Sequence, residues 1–255
     1  MKYPNFLIIG AARSGTTTLY ECLRLHSDIY FPLSDAEPKF FSREQEYIKG
    51  NEYYLDRYFF NADAYVAVGE KSTEYMENQS SAIRIYSFNP SIKLLCMLRD
   101  PVERAISNYW WSVSNGHEKR PINEALRAEW KNYLNNPGKI TSLNSARPFA
   151  YIDRSLYYEN LLPFYMLFTG TSIKCIIFEE FLKSRIKICE DIFLFLQVKL
   201  MDLPVDSVGA QRFVPRGESL DGSLYRELRD FFYEKNSGLS ELIGIDVSRY
   251  WHRKI

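Results

Sequence analysis

The fold of this 255-residue chain is decided by residues 6–18, which read FLIIGAARSGTTT. The opening FLII run has the length and composition of a buried strand. A turn from Gly10 to Gly15 ends the run, and a helical pattern follows whose shared face carries Leu19, Cys22, Leu23 and His26. A strand, tight loop and helix in this order point backbone N–H groups and the positive end of the helix dipole at one place. The sequence therefore predicts an anion-binding loop, with phosphate as its natural ligand.

Three further apolar runs predict buried strands, and helical periodicity follows two of them. The runs are residues 65–69, 92–98 and 173–178, and the helical segments are roughly residues 80–88 and 102–113, with an amphipathic helix at 220–236. Strands that alternate with helices predict an α/β, P-loop-like three-layer fold with a central parallel sheet and helices on both faces. In such a sheet, ligands bind at the carboxyl ends of the strands.

Composition limits the possible functions. A chain of this length with 46% hydrophobic residues can bury one sizeable core, so we expect a single domain over residues 1–255. Its 32 basic and 32 acidic residues cancel, which argues against a nucleic-acid partner and makes any anion site local. The four cysteines lie in apolar stretches without metal-type spacing, so no metal site is expected.

The N-terminal residues predict neither a signal peptide nor a membrane span, because the short apolar run leads directly into the glycine-rich turn. We therefore expect a cytoplasmic protein of the bacterial, soluble type. Removal of an upstream membrane anchor would leave the same sequence, so that alternative stays open.

The loop differs from a nucleotide triphosphatase P-loop in one decisive residue. Two glycines are separated by four residues, as in that motif, but Thr16 occupies the position of the expected lysine. Without the lysine, transfer of a γ-phosphate loses its main charge partner. The basic residue lies inside the loop instead, at Arg13. This difference disfavours a P-loop kinase, which is kept as an alternative.

A second motif, RDPVERAISNY at residues 99–109, follows the predicted strand 92–98. Arg99 can make a forked, charge-assisted contact with a phosphate, and Ser107, two helical turns later, can donate a hydroxyl hydrogen bond. The alternative is purely structural. In that reading Asp100 caps the helix, and Arg99 and Arg104 are ordinary surface charges.

Together the two motifs resemble those of the sulfotransferases that use 3'-phosphoadenosine 5'-phosphosulfate (PAPS). That family has Lys or Arg just before Ser-Gly-Thr in its 5'-phosphosulfate loop, and R-D-P-x-x-R-x-x-S-x-Y at its 3'-phosphate site. The resemblance implies PAPS as co-substrate, 3'-phosphoadenosine 5'-phosphate (PAP) as product, and no required metal. The cofactor-binding residues that it implies are Arg13, Ser14, Gly15, Thr16, Thr17, Thr18, Arg99, Ser107, Tyr157, Arg216 and Gly217.

Other matches resemble the heparan-sulfate-type branch of that family. They lie at residues 25–29, 37–41, 70–75, 89–95, 154–157 and 216–217. This resemblance implies that Glu37 is the catalytic base, that Lys71 lies beside the reacting sulfonate, and that Arg13 stabilises the bridging oxygen and the 5'-phosphate. The chemistry agrees, because an acceptor hydroxyl needs a nearby base to take its proton. From the residues alone, Glu37 could equally be a solvated glutamate before a proline.

The animal enzymes of this branch usually have lysine in place of Arg13, and they have a disulfide-bearing insertion just before residues 211–217. This chain has no cysteine there, which fits a reducing compartment and separates it from close Golgi orthologues. Arginine has a pKa too high for proton donation, so electrostatic stabilisation is the role expected of Arg13.

The predicted acceptor site involves residues 109–120. Residues 109–120 contain aromatic and basic side chains suited to a sugar ring and an anionic glycan, namely Trp110, Trp111, Lys119 and Arg120. The alternative places both tryptophans in the core. Residues 42–61 and 134–152 are expected to be excursions that shape the acceptor site, and only His117 among the histidines is expected to reach an acceptor.

A carbohydrate hydroxyl or amine is therefore the leading acceptor, and a lipid or polyketide hydroxyl stays open. A catalytically inactive module that binds PAP is a further alternative.

Overall fold

The structure is a computed structural model that describes residues 3–33, 37–136, 150–209 and 218–251. The chain divides into two compact units. The first comprises Met1–Leu98 and Pro163–Ala210, and the second comprises Arg99–Leu162 and Gln211–Ile255. The prediction of a single domain stays a prediction.

Within the described residues of the first unit, five strands form one sheet in the order β2-β3-β1-β4-β5. All four strand pairs are parallel. The strands are β1 (Phe6–Gly10), β2 (Ile29–Tyr30), β3 (Ala67–Lys71), β4 (Lys93–Leu98) and β5 (Ile173–Ile177). The predicted α/β class with a parallel central sheet is confirmed.

The helices follow the strands as the sequence pattern predicts, with additional helices that it did not indicate. In chain order they are α1 (Thr16–Leu23), α2 (Glu44–Tyr47), α3 (Gly50–Tyr58), α4 (Gln79–Phe88), α5 (Pro101–Ser114), α6 (Ile122–Asn135), α7 (Tyr157–Leu167), α8 (Phe178–Lys183), α9 (Arg185–Leu196), α10 (Gly222–Lys235) and α11 (Leu239–Ile243). No helix among the described residues is long and apolar enough to cross a membrane.

Strand β1 lies at the centre of the sheet, and every one of its five residues is buried. Phe6 and Ile8 belong to a core cluster with apolar residues of α1 and α9. Leu7 and Ile9 point to the opposite side and are also fully buried, so both faces of the strand are covered. Because β1 is enclosed on all sides, the loop that follows it starts from a rigid position.

The second unit has its own apolar core, built by α5, α6 and α10. Helix α5 begins at a strong cap, since the Asp100 carboxylate accepts hydrogen bonds from the N–H groups of Val102 (2.9 Å) and Glu103 (3.0 Å). Pro101 at the first helical position suits this start. Burial, the largest influence, raises the pKa of Asp100 above its ordinary value.

Candidate active site

The loop between β1 and α1 is shaped by Gly15. This residue has φ 90°, and a Cβ placed on it would lie 2.6 Å from the ring of Phe178. Only glycine fits such a position without displacing the ring. Helix α1 begins at the next residue, so the N–H groups of its first turn have no acceptor within the helix.

The side chains of this loop suit an anionic ligand. The Ser14 hydroxyl is fully buried and has no hydrogen-bond partner among the described residues. A buried hydroxyl in this state is costly unless a ligand oxygen accepts from it. Thr16 and Thr18 are buried and Thr17 is exposed, while Arg13 is half-buried with φ 69°. The loop therefore has donors suited to an anion, and its assignment to a phosphosulfate group stays a prediction.

The structure brings Glu37 and Lys71 together. Lys71, the last residue of β3, donates from Nζ to Glu37 Oε1 at 3.1 Å. Thr73 donates to the same carboxylate twice, from its backbone N–H to Oε2 at 3.2 Å and from its hydroxyl to Oε1 at 3.0 Å. Glu37 is thus held by two side chains and one backbone group, rather than being a freely solvated glutamate.

This carboxylate lies close to the sheet position that leads into the phosphate loop. Strand β3 pairs with β1, and Lys71 is opposite Ile8, two residues before the loop begins. The Lys71 ammonium also lies 5.9 Å from the ring centre of Tyr20 on α1. The predicted base, its lysine and the predicted phosphate loop therefore belong to one edge of the sheet, as expected for parallel strands.

Further charges surround Glu37. Lys39 Nζ lies 3.9 Å from Glu37 Oε2 and 3.3 Å from Glu74 Oε2. Glu74 in turn accepts from Arg43 Nε at 3.2 Å and from the Ser42 hydroxyl at 2.5 Å. Burial works to raise the pKa of Glu74, but the Ser42 hydrogen bond and the charges of Lys39 and Arg43 outweigh it and lower that pKa.

A buried carboxyl lies on the strand below this group. Glu70 is 1% exposed and accepts from the Tyr75 hydroxyl at 2.6 Å and the Tyr54 hydroxyl at 3.2 Å. Burial raises the pKa of Glu70 to about 7, against the hydrogen bonds of Tyr75, Ser72 and Tyr54. Ser72 also accepts from the backbone N–H of Lys39 at 2.8 Å. Through these bonds the β3 end supports the segment that carries Glu37.

In the second unit, Arg99 directly follows β4 in the chain. Its guanidinium lies 3.8 Å from Glu103 Oε2 and is 23% exposed. Tyr157 is buried and donates its hydroxyl to the Arg99 carbonyl oxygen at 2.8 Å, and Ser107 is half-buried on α5. Tyr157 therefore positions the Arg99 backbone.

The surface-charge interpretation is wrong for Arg104. Its side chain is fully buried and donates to the Ser155 hydroxyl (2.6 Å), Asn108 Oδ1 (3.1 Å) and the Tyr151 carbonyl (2.6 Å). Each of these acceptors replaces water that the guanidinium loses on burial. The proposed cap at Asp100 is confirmed, so the motif combines a partly exposed arginine, Arg99, with a buried one, Arg104.

The acceptor platform predicted at residues 109–120 is only partly available. Trp110 is 8% exposed and belongs to the core, whereas Trp111 is half-buried with the exposed His117 ring 5.8 Å away. Arg120 is paired with Glu118 at 2.7 Å, and Lys119 is exposed. The core alternative is correct for Trp110, because apolar side chains of α5 and α6 enclose it.

His26 is buried and accounted for by packing and capping, since its ring bonds the Lys199 carbonyl at 2.8 Å and accepts from the Asp28 N–H. Arg216 and Gly217 lie outside the described residues, as does most of the segment 134–152. Among the residues that are described, no group of three or more His, Cys, Asp or Glu side chains could hold a metal ion.

A family comparison covers most of these residues. Residues 3–211 match the family described as the sulfotransferase domain. The chain belongs to this sulfotransferase family. The predicted family membership is confirmed, and the site described above lies almost wholly within the matched range.

Curated relatives of this sulfotransferase domain share part of their length with it. Heparan sulfate glucosamine 3-O-sulfotransferase 5 of Mus musculus and of Homo sapiens are each 37% identical over 119 residues, which is 47% of this chain and 33% of theirs. The human 3-O-sulfotransferase 3B1 is also 37% identical, over 120 residues. The matched segment therefore spans only about a third of the mouse and human type 5 relatives.

Two solved structures are similar in fold to this chain. A sulfotransferase from Alicyclobacillus acidocaldarius is 29% identical, with a TM-score of 0.79 over 99% of this chain and all of that one. The sulfotransferase domain of the Synechococcus PCC 7002 olefin synthase, 16% identical with a TM-score of 0.52 over 96% of this chain and 95% of its own, shows the same fold.

Sequence reasoning missed Thr73 and Glu74 as members of the site. Both lie in the quoted segment 70–75, whose first residues were recognised. The signal available was their position directly after the end of a buried strand, where side chains converge on a ligand edge. Nothing in the sequence indicated that residues 39, 42 and 43 would meet them.

Proposed function

We propose that this chain transfers a sulfonate group from PAPS to a hydroxyl or amine of an acceptor, with Glu37 as the base. The observation that carries the proposal is the Glu37 carboxylate, held by Lys71 and Thr73 at the carboxyl end of β3. The neighbouring strand of the same sheet leads directly into the glycine loop.

The proposed reaction is an in-line displacement at sulfur. The acceptor oxygen forms a bond to sulfur while the bond from sulfur to the bridging phosphate oxygen breaks, and PAP leaves with that oxygen. The acceptor proton passes to a Glu37 carboxylate oxygen. Charge that develops on the sulfonate and the leaving phosphate needs stabilisation by fixed donors and cations.

Each residue of the first unit has a separate task in this scheme. The N–H groups at the start of α1 and the Ser14 hydroxyl would bind the 5'-phosphate, and Arg13 would stabilise the bridging oxygen as a permanent cation. The Lys71 ammonium donates a hydrogen bond to Glu37 Oε1. If this ammonium moved to a sulfonate oxygen, Glu37 Oε1 would gain room to accept the proton of the acceptor. Thr73 would keep that carboxylate oriented.

Arg99 and Ser107 are proposed to bind the 3'-phosphate, as the resemblance implies. The half-buried position of these side chains on or before α5 supports this role, whereas the buried Arg104 joins α5 to residues 151–155. Arg216 and Gly217 are proposed to contribute as well, on the resemblance alone. No metal is proposed to take part.

A carbohydrate hydroxyl is the proposed acceptor, because the relatives are named for transfer to glucosamine of heparan sulfate. A lipid or polyketide hydroxyl is the alternative. We propose that the protein acts in the cytoplasm without a nucleic-acid partner. A P-loop kinase activity is disfavoured by Thr16 in the position of the phosphate-binding lysine.

Calorimetric titration with PAP, and with ATP and Mg²⁺ as the comparison ligand, tests the proposal. The expected result is PAP affinity at least about tenfold higher than that for ATP, a difference of about 1.4 kcal/mol. A preference for ATP with Mg²⁺ would overturn the proposal in favour of the kinase. An Arg99→Ala variant is expected to weaken PAP binding, which separates a binding role from a purely structural one.

A further inference from the structure

The charged side chains beside Glu37 form a chain of alternating sign. Lys71 lies 3.1 Å from Glu37, Glu37 lies 3.9 Å from Lys39, Lys39 lies 3.3 Å from Glu74, and Glu74 lies 3.2 Å from Arg43. Every side chain in this series is between 15% and 34% exposed. A molecule that reaches Glu37 therefore meets a surface on which each cation already has a carboxylate beside it.

Glu74, a member of this series, is held by hydrogen bonds on both carboxylate oxygens. Its carboxylate accepts from the Ser42 hydroxyl at 2.5 Å and from two guanidinium nitrogens of Arg43, at 3.2 and 3.5 Å. Because these contacts, together with Lys39, lower its pKa against the effect of burial, the group stays ionised through the neutral range. Glu74 thus places a permanent negative charge next to the two cations.

Lys39 and Arg43, the two cations beside Glu74, are the groups that an anionic acceptor would need. Lys39 is within 4 Å of Glu37, so substituents close to the reacting hydroxyl would meet it. Glu74, however, reduces the combined charge of Lys39 and Arg43 from two positive charges to one, and its own carboxylate repels a sulfate or carboxylate. If Lys39 and Arg43 turned to an acceptor, the Glu74 carboxylate would lose its ion pairs with them.

We propose that Glu74 is a specificity residue that favours acceptors without charged groups next to the reacting hydroxyl and disfavours polyanionic glycans. This inference rests on the proposed function, since it takes Glu37 as the position of the acceptor. It names an acceptor class different from the sulfated polymer in the names of the relatives. Such selection by a repulsive group is a common way to obtain specificity.

The test is binding of a polyanionic probe, a heparin-derived hexasaccharide, to the protein saturated with PAP at low ionic strength. Glu74→Gln is expected to bind the probe about tenfold more tightly than the unmodified protein, because one repelling charge is removed and two cations are released. The gain should disappear in the double variant Glu74→Gln with Lys39→Gln. Glutamine keeps an oxygen for Ser42 and Arg43, and the unfolding temperature checks that the fold is retained.

Glu21→Gln is the matched control, since Glu21 is also paired with an arginine, Arg24, at 3.5 Å but lies on α1. It should leave probe affinity unchanged. Equal probe affinity of Glu74→Gln and the unmodified protein, including no measurable binding by either, would overturn the inference. Titrating the same proteins with PAP alone reports on the proposed function separately, so the two failures are distinguishable.

Discussion

The carboxylate of Glu37, the proposed base, is oriented by Thr73. Thr73 contributes a backbone N–H and a hydroxyl to the two carboxylate oxygens, so the plane of the carboxylate is defined from one side. Lys71 adds a charged donor at 3.1 Å. The proposed role of Thr73 is to keep that orientation when Lys71 contacts the sulfonate.

The change Thr73→Val keeps the shape and the backbone donor but removes the hydroxyl. We expect kcat for sulfonate transfer to fall about fivefold to tenfold, the effect of one lost hydrogen bond, with PAP affinity unchanged. Steady-state kinetics and PAP calorimetry measure the two quantities. Thr169→Val, which removes an exposed hydroxyl bonded only to Thr171 and Ser172 among described partners, is the control. An unaltered kcat in Thr73→Val would show that the hydroxyl does not orient the base.

Glu70 makes stability depend on pH. Its pKa in the folded state is raised to about 7, chiefly by burial, above the ordinary value of a glutamate in the unfolded chain. Between pH 4.5 and 7 the folded protein therefore binds more protons than the unfolded chain, and stability falls as pH rises through this window. Above pH 7, Glu70 is ionised in the folded protein, and the free-energy cost of its buried charge lowers stability by a constant amount.

Glu70→Gln is expected to remove this dependence while keeping an acceptor for Tyr75 and Tyr54. Relative to the variant, the unmodified protein should lose on the order of 2–3 kcal/mol of unfolding free energy from pH 5 to pH 8. Denaturant unfolding at the two pH values measures it. A variant whose stability changes with pH as the unmodified protein's does would assign the dependence to other groups.

At the scale of elements, the loop between β1 and α1 depends on close packing against α8. A Cβ on Gly15 would contact the Phe178 ring, the first residue of α8, at 2.6 Å. Gly116 also has positive φ, 73°, but nothing lies within 4 Å of its Cβ position. An alanine at Gly116 would therefore suffer only backbone strain, whereas an alanine at Gly15 would also clash with the Phe178 ring.

We expect Gly116→Ala to cost about 1 kcal/mol of unfolding free energy and Gly15→Ala about 1–3 kcal/mol more. Gly15→Ala should also weaken PAP binding about tenfold because the loop must move, an effect we do not expect for Gly116→Ala. Chemical denaturation and PAP titration measure both effects. Equal losses in the two variants would mean that the Phe178 contact does not constrain the loop.

The segment that leads into α5 and the helix itself each contain one arginine, and the proposed function gives Arg99, before the helix, a role in ligand binding and Arg104, on the helix, a structural role. Arg104→Met is expected to lower the unfolding free energy by roughly 3 kcal/mol, because it leaves buried acceptors such as the Tyr151 carbonyl unpaired. Arg99→Met should change stability little and weaken PAP binding at least about tenfold. Denaturant unfolding and PAP titration of both variants measure the two effects. A loss of stability in Arg99→Met together with a loss of PAP binding alone in Arg104→Met would contradict these roles.

At the scale of the whole molecule, the sequence predicted the parts of the sheet that are long and apolar. The strands predicted at residues 65–69, 92–98 and 173–178 appear as β3, β4 and β5 within one or two residues. The remaining strand, β2, has only two residues and carries no periodicity that a sequence could reveal. Short elements of this kind are fixed by pairing with a neighbour.

Residues 42–61 were predicted only as an excursion, and they form α2 and α3. The sequence did not predict that Tyr54 lies in the core. This side chain is fully buried and stacks on Phe40, with ring centres 4.3 Å apart. Tyrosine occurs both at surfaces and in cores, so composition alone could not distinguish the two.

Residues of the candidate site that lie in a recognisable motif could be predicted from the sequence. Residues that join the site through contacts between distant segments could not. Resemblance identified Glu37 and Lys71, which lie 34 residues apart and meet in the structure. The partners Glu74 and Arg43 depend on where the segment after Glu37 folds back over the end of β3, which no local pattern specifies. Trp110 is a similar case, because its burial depends on α6.

The most direct test of the account is transfer of radiolabelled sulfonate from PAPS to a panel of neutral and anionic oligosaccharides and lipid alcohols, by the unmodified protein and by Glu37→Gln. We expect labelled product from the unmodified protein, about a hundredfold to ten-thousandfold less from the variant, and equal PAP affinity for both. Product formed by Glu37→Gln at the unmodified rate, or loss of PAP affinity equal to the loss of turnover, would contradict the assignment of Glu37 as the base of a sulfonate transfer.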